Sequence, residues 1–567
     1  MPNYLAALAV SDHVGIQMNE VSVLIGGKAG EGINSASAMI AQLLNHLGYR
    51  IYIYFDYPSL IRGGHNFAII RGREQHAGAC RNRVDFVLAL DQETIVRQKE
   101  KFTDKTAFIS NKDVVKNGGQ GIPVKAILAE ENAPGIMGNS ALIGGFARVA
   151  GIDWQVVDAV FRRHIPKGAD LNLAVAKKAF DMFEPVHPIK KGENLPQSLV
   201  SGNEAIGLGL VRGGLDAYVS YPMTPSSSIL HFLAEQKERF GIMVVHPENE
   251  IAVILMALGF AYAGKKSAIG TSGGGFCLMT EGLSLAGMAE IPVVIVVSQR
   301  TGPSTGLPTY TGQSDLQFVL HAGHGEFPRL IVAPGDAEEA LHWSERAMDI
   351  AWKCQIPAFI LADKTLSEGT YSLDPGALQN LSGPIVSLGD GKTPYHRYGN
   401  TESGISPMAF PGTKDAVVKV NGYMHDEAGI TAEDAGITDQ ITNKRLKKWE
   451  TLIYLMQGYD GVIQSGTPAA STALLCWGST KGICEEAAAE LGLRVVRPIV
   501  LAPFPVDQIQ KALRGVKRLI AVEENATAQL AALAERHGII TDEKILRYDG
   551  RPFTVEELVS RVKEAGI

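Results

Sequence analysis

Six short apolar runs, at 217–220, 243–246, 268–271, 293–298, 330–332 and 358–361, recur with a helix-length segment between each and the next. That alternation narrows the fold more than any other feature. Strands joined by crossover helices lie parallel, and a parallel sheet has to be covered on both faces. The expectation is an α/β protein with a doubly wound parallel sheet whose ligands gather at the carboxyl ends of the strands. Residues 1–190 carry a further α/β unit, with strands at 21–25, 51–55, 66–71, 86–90 and 106–109, and residues 466–567 another, with strands at 473–477, 494–497 and 518–522. Pro185, Pro188, Lys190, Lys191 and Pro196 mark a junction before a unit at 196–380. From 381 to 465, Pro394, Pro407, Pro411 and many glycines leave only 438–455 as a helix, so this stretch reads as an irregular linker.

The 567 residues give room for several buried cores, and the formal charge of −7 gives no reason to expect nucleic acid or an anionic membrane. The first nineteen residues lack a secretory pattern and the apolar stretch 251–264 is too short to span a bilayer, so a cytoplasmic location is expected. Five scattered cysteines without a CxxC pair suit a reducing compartment and offer no cluster of metal ligands.

Candidate chemistry sits in the loops after the strands. Gly26-Gly27-Lys28-Ala29-Gly30-Glu31-Gly32 joins a strand to a helix, either as a tight packing turn or as amides approaching a phosphate. Tyr221-Pro222-Met223-Thr224-Pro225-Ser226-Ser227-Ser228 is a rigid polar loop that could orient a small ligand or merely cap a helix. Glu250 opens the helix 251–264, which is apolar on all sides and therefore expected to be buried. The helix dipole supplies only about 0.3–1 kcal/mol to a carboxylate there, so a buried Glu250 needs a partner, whereas an exposed one needs nothing. His246, Glu248 and Glu250 are weak as a metal set. Thr271-Ser272-Gly273-Gly274-Gly275-Phe276 allows close approach by something flat or charged, and Arg300 reads as a carboxylate clamp or as a surface ion pair.

Taken in order, Tyr221 to Ser227, Glu248-Asn249-Glu250, Thr271 to Phe276, Arg300 with Gly302 to Thr309, and Gln313-Ser314-Asp315-Leu316 resemble the α subunit of the 2-oxoacid:ferredoxin oxidoreductases, in texture closest to the 2-oxoglutarate members. The likeness covers nearly the whole chain. Residues 1–190 look like the family's γ domain fused in front as a coenzyme A lid, 196–380 like a pyrimidine-binding domain of the thiamine diphosphate fold, and Val522-Glu523-Glu524-Asn525 belongs to a transketolase C-terminal-like domain. Met223 stands where isoleucine is commoner, a volume-conserving change.

The resemblance implies thiamine diphosphate, whose thiazolium accepts the electron pair left when a 2-oxoacid loses carbon dioxide. It implies that Glu250 hydrogen-bonds the aminopyrimidine, that Pro222, Met223, Thr271 and Ser272 line the cofactor, and that Thr224 and Arg300 hold the 2-oxoacid. Gly27, Gly30 and Gly32 would lie near the phosphates of coenzyme A. Gly389-Asp390-Gly391, with Asn421 beyond, is rejected as a diphosphate loop, because Pro394, Pro407 and Pro411 forbid the helix that must follow. A β subunit would then carry Mg2+, the diphosphate site and a [4Fe-4S] cluster, in an (αβ)2 assembly that reduces ferredoxin, with reverse carboxylation open to a strong reductant. Pyruvate and branched-chain 2-oxoacids are the alternative substrates. The rivals of another class are a non-catalytic scaffold subunit and a nicotinamide dehydrogenase using Asp56 as ribose partner.

Overall fold

The structure is a computed structural model that describes residues 20–59, 64–116, 119–374, 376 and 394–567. The first sheet is built from β1 (Glu20–Lys28), β2 (Arg50–Asp56), β3 (His65–Arg73), β4 (Phe86–Ala89), β5 (Ala107–Asn111) and β6 (Gln120–Ile122). The side-chain alternation of β1 explains its place. Val21, Val23 and Ile25 enter a core shared with the helices Ile33–His46, Gly138–Val149 and Ala169–Phe180, while Leu24 points the other way, into the core of the following units. The sheet is thus covered on both faces, one of them by the rest of the molecule.

The next strands are β7 (Ser198–Ser201), β8 (Ala217–Val219), β9 (Met243–Val245), β10 (Ser267–Thr271), β11 (Val293–Gln299), β12 (Leu330–Val332), β13 (Pro357–Asp363) and β14 (Thr370–Leu373). The last are β15 (Val462–Gly466), β16 (Thr472–Leu475), β17 (Arg494–Pro498), β18 (Val500–Ala502), β19 (Arg518–Glu523) and β20 (Glu543–Leu546). The second sheet runs β18-β12-β13-β11-β10-β8-β9, parallel apart from β18, with β11 buried along its whole length. The third runs β15-β17-β16-β19-β20, parallel apart from β15. The α/β architecture and the doubly wound parallel sheet are as the sequence predicts.

The units interlock by exchanging edge strands. β7 and β14 leave the second unit to extend the first sheet, in the order β6-β5-β4-β1-β3-β2-β14-β7, and β18 leaves the third to close the second. The proline-rich junction is held down as well: Tyr49 donates to Lys190 O at 2.7 Å, and Asn194 donates to Gly48 O at 3.0 Å and Glu74 O at 2.8 Å. Within 394–465, the helix Ala435–Met456 carries Lys444 and Lys448 onto Glu290, both ammonium groups bonding its carboxylate. Burial alone would raise that carboxyl, but the Lys448, Lys444 and Arg397 charges hold it below the usual range.

Arg71 fastens the first unit to the third. Fully buried, it donates from Nε to Glu20 at 2.7 Å and from Nη1 and Nη2 to Glu486 at 2.8 and 2.6 Å, and Nη1 also bonds Ala79 O at 2.7 Å. Breaking a buried pair strands the remaining charge at a cost of about 3–5 kcal/mol. Arg71→Ala is therefore expected to lower the unfolding free energy read from denaturant titration by an amount of that order, and a loss below about 1 kcal/mol would show the pair to be incidental.

Candidate functional site

The site forms at the carboxyl ends of three neighbouring strands, β8, β10 and β11. After β10, Ser272 opens the short helix Gly273–Cys277, and the glycines bring its backbone close to two acids. A Cβ on Gly275 would overlap Thr271 Oγ1 and lie 2.8 Å from Glu250 Oε1. Gly274 is open, its would-be Cβ meeting only Ser304 O at 3.8 Å.

Glu250 is where the sequence reading needs it. Asn249 caps the helix Glu250–Tyr262 by accepting from Ala252 N–H at 3.0 Å, which puts Glu250 in the first turn. The carboxylate is 4% exposed and its Oε1 is buried without a hydrogen-bond partner. Ser272 Oγ is orphaned in the same way. The expectation of full burial for this helix does not hold: Ile251, Leu255 and Met256 are 45–49% exposed. Ile251 and Leu255 line, with Leu278, Met288 and Phe327, a cavity of about 370 Å³. A helix without a polar stripe needs cover on every side, and the described residues leave the side of Ile251, Leu255 and Met256 about half exposed.

The loop after β8 lies beside the glycine turn, because Ser220 Oγ donates to Gly270 O at 2.8 Å. Met223 O accepts from both N–H and Oγ of Ser226 at 2.8 Å, so the loop is braced from within around Pro222, Met223 and Thr224. Arg300, directly after β11, donates from Nη1 to Thr224 O at 2.9 Å, which joins these two predicted residues through the backbone carbonyl rather than the hydroxyl. Its Nε is buried and unpartnered. Burial pushes the guanidinium below its usual value, against the pull of Asp315. Sequence reasoning left Asp315 without a role. Its Oδ2 is also buried and unpartnered, and its only signal was membership of the Gln313 to Leu316 run.

Gly27 lies in β1 and Gly30 and Gly32 in the loop after it, and among the described residues no backbone hydrogen bond joins them to the second-sheet loops. Gly30 and Gly32 need left-handed backbone, with φ of +91° and +75°. The Lys28 amide already donates to Glu31 Oε2 at 2.7 Å, so the loop carries its own carboxylate where an anion would sit. A Cβ on Gly26 would lie 3.0 Å from the ring of His65, a buried histidine with neither ring nitrogen hydrogen-bonded. His65 lines a cavity of about 510 Å³ together with Arg81, Arg97, Lys101, Tyr310, Arg547 and Arg551. The sequence offered no sign of this pocket, whose cations come from distant segments. Asp56 is engaged there, 3.4 Å from Arg551 Nε and bonded by Tyr54 Oη at 3.0 Å. Arg551 stacks over Tyr310 at 3.8 Å, and Thr311 N–H donates to Gly550 O at 3.1 Å, so the loop that begins at Arg300 ends on this cavity.

Of the rest, His246 packs edge-on against Tyr221 at 5.8 Å, and among the described residues no group of three metal-ligating side chains converges. Gly389-Asp390-Gly391 lies outside the described residues, while Asn421 donates to Gly429 O at 2.8 Å within a turn.

A parallel sheet with an unmet buried glutamate and a glycine turn at its carboxyl edge defines a cofactor-binding α/β enzyme domain. Residues 209–443 match the family model "Pyruvate flavodoxin/ferredoxin oxidoreductase, thiamine diP-bdg", and residues 22–182 match "Pyruvate ferredoxin/flavodoxin oxidoreductase". A 2-oxoacid:ferredoxin oxidoreductase subunit alpha of a Sulfolobus species is 31% identical over 95% of this chain and 96% of its own. A 2-oxoglutarate synthase subunit KorA of Archaeoglobus fulgidus is 28% identical over 59% of this chain and 89% of its own. Among solved structures, the 2-oxoglutarate:ferredoxin oxidoreductase from Magnetococcus marinus, with 2-oxoglutarate, coenzyme A and succinyl-CoA bound, superposes with a TM-score of 0.87 at 29% identity, covering 96% of this chain and 99% of that one. The chain belongs to the 2-oxoacid:ferredoxin oxidoreductases, as an alpha subunit, and it carries their thiamine diphosphate-binding domain.

Gly275→Ala tests the geometry of the turn. The added methyl must displace Thr271 or Glu250, and a shift of about 1 Å at a reacting centre costs about a hundredfold in rate. Turnover of the assembled enzyme should fall by roughly that factor with the circular dichroism spectrum unchanged. Near-normal turnover would mean that Glu250 is not held by this contact.

Proposed function

We propose that the site converts 2-oxoglutarate and coenzyme A to succinyl-CoA and carbon dioxide, passing electrons to ferredoxin, and that a strong reductant drives the carboxylation in reverse. The observation that carries this reading is the buried, unpartnered Glu250 Oε1 against an open glycine turn, in a chain that matches along its length a protein holding 2-oxoglutarate and coenzyme A. The residues fit thiamine diphosphate. A carboxylate oxygen stripped of water needs a donor, which the proton-bearing ring nitrogen of an aminopyrimidine provides, and glycines leave a flat ring its space.

When bound, the cofactor supplies the electron sink for the carboxylate's departure. The chain's own residues do the rest. Glu250 holds a proton at the aminopyrimidine nitrogen. Ser272 and Thr271 border the ring, Pro222 and Met223 form the rigid rim, and Arg300 meets the substrate carboxylate beside Thr224. Coenzyme A lies with its phosphates at the cationic cavity, near the Gly27, Gly30 and Gly32 loop but not on the amide that Glu31 already occupies, its thiol arm following Tyr310 and Thr311 toward Arg300. The first unit, residues 1–190, then acts as the lid over this path.

A β subunit covers the bare face of the Glu250–Tyr262 helix in an (αβ)2 assembly and brings Mg2+, the diphosphate site and the [4Fe-4S] cluster. The cysteines here support that division. They are widely scattered, and among the described residues no three metal-ligating side chains converge. The reducing cytoplasm suits such a partner.

The test is the assembled complex supplied with 2-oxoglutarate, pyruvate and branched-chain 2-oxoacids. Succinyl-CoA should form fastest; a preference for pyruvate would overturn the substrate but not the chemistry. Glu250→Gln should cost about 10²–10⁴ in kcat for every substrate, and normal turnover would leave this chain a scaffold. Arg551→Ala should raise the KM for coenzyme A about tenfold or more, as loss of a charge-assisted bond implies, while that for the 2-oxoacid stays put. An unchanged coenzyme A KM would place that ligand elsewhere.

A further inference from the structure

Two acids face the Gly273 to Gly275 turn from opposite ends, Glu250 buried and Asp315 partly buried with its Oδ2 shut from water, and the proposed reaction uses only Glu250. The other, Asp315, rests directly on Gly273, where a Cβ would lie 2.5 Å from its Oδ2 and 2.7 Å from Oδ1. Its N–H donates to Gln299 Oε1 at 2.9 Å, and Gln299 Nε2 donates to Ala362 O at 3.2 Å, which fixes the acid beside Arg300 at the end of β11. Yet no hydrogen bond or ion pair joins the two side chains: Asp315 Oδ2 and Arg300 Nε are both buried and both unpartnered. A desolvated acceptor and a desolvated donor left unjoined cost about 1–3 kcal/mol each, so the arrangement is favourable only when something else meets them.

We propose that Asp315 is a positioning residue for Arg300: un-ionised, it leaves the guanidinium free for the carboxylate of the 2-oxoacid, and ionised, it competes with that carboxylate. The inference rests on the proposed role of Arg300 as carboxylate partner. Two carboxylates at one cation repel, and one of them takes up a proton. Burial has already pushed Asp315 up to about 6, with Arg300 opposing. A substrate carboxylate on Arg300 weakens that opposition and adds a like charge, so the protonated form gains. The sign follows: binding takes up a proton, and affinity falls as pH rises above the value for the free site. The charged groups around Asp315 are Arg300 from the end of β11 and Glu250 across the glycine turn, while Gln299 and the glycines are neutral.

The experiment uses the assembled complex and 2-oxoglutarate, whose own carboxyls stay ionised near neutrality. From about pH 6 to about pH 8 the KM should rise by up to tenfold per unit, and in Asp315→Asn it should be flat. Calorimetric titration of the wild type in two buffers of different ionisation enthalpy should show uptake approaching one proton per substrate bound, lost in Asp315→Asn. Absence of uptake in the wild type overturns the inference without any variant, as does uptake that persists in Asp315→Asn. Arg300→Met separates the two levels. If it leaves the KM unchanged, the role of Arg300 has failed; if it abolishes binding while Asp315→Asn keeps the wild-type pH slope, only the present inference has.

Discussion

The site depends on a carboxylate that the fold buries and does not satisfy. Glu250 gains about 0.3–1 kcal/mol from its helix terminus, while an unmet hydrogen bond to a buried charged group costs about 1–3 kcal/mol or more. The chain therefore stores a deficit at that oxygen. Several features serve to keep it there. Asn249 fixes where the helix starts, the glycines admit the backbone beside the acid, and the ends of β8, β10 and β11 bring the remaining loops within reach. A protein selected for stability alone would fill this place with an apolar side chain.

What keeps the loops in register is the exchange of strands between units, reinforced at Gln313. That buried side chain accepts from Glu524 N–H at 2.9 Å and donates to Trp477 O at 2.8 Å, while its own N–H donates to Glu524 O at 2.7 Å. One residue thus ties the segment between Arg300 and Asp315 to two loops of the third unit. Burial, aided by the charge of Asp363, pushes the Glu524 carboxyl up to about 8. The third unit thus shapes the site through the segment between Arg300 and Asp315.

The local pattern made the strands of the second sheet legible almost to the residue, since runs such as 293–298 are apolar throughout and end where a glycine- or proline-bearing loop begins. It could not reveal β7, β14 or β18. Ser198–Ser201 and Thr370–Leu373 are short and half polar, and they become strands only because β2 offers an edge far away in sequence. The same limit divides the site. Glu250, Thr224 and Arg300 stand at strand ends and carry their signal in the loop that holds them. His65, Arg547 and Arg551 converge across units, so their common cavity exists only after the chain has folded. Asp315 was visible as part of a run, but its desolvation depends on Gly273, some forty residues earlier.

The error over the apolar helix is instructive for the same reason. The sequence of Glu250–Tyr262 demands cover on every face, and the demand is sound; what failed was the assumption that this chain meets it alone. Ile251, Leu255 and Met256 stand about half exposed within two turns of Glu250, whose oxygen is unmet. An apolar face and an unpaired carboxylate on one helix are two forms of one deficit, since each stays costly until it is met, by side chains in the first case and by a donor in the second. A partner seated on that face shuts water from the glycine turn and so strengthens every interaction of Glu250 and Arg300 at once. Under the proposed assembly, association and cofactor binding therefore reinforce each other, because the surface that each leaves wet is the surface the other makes dry.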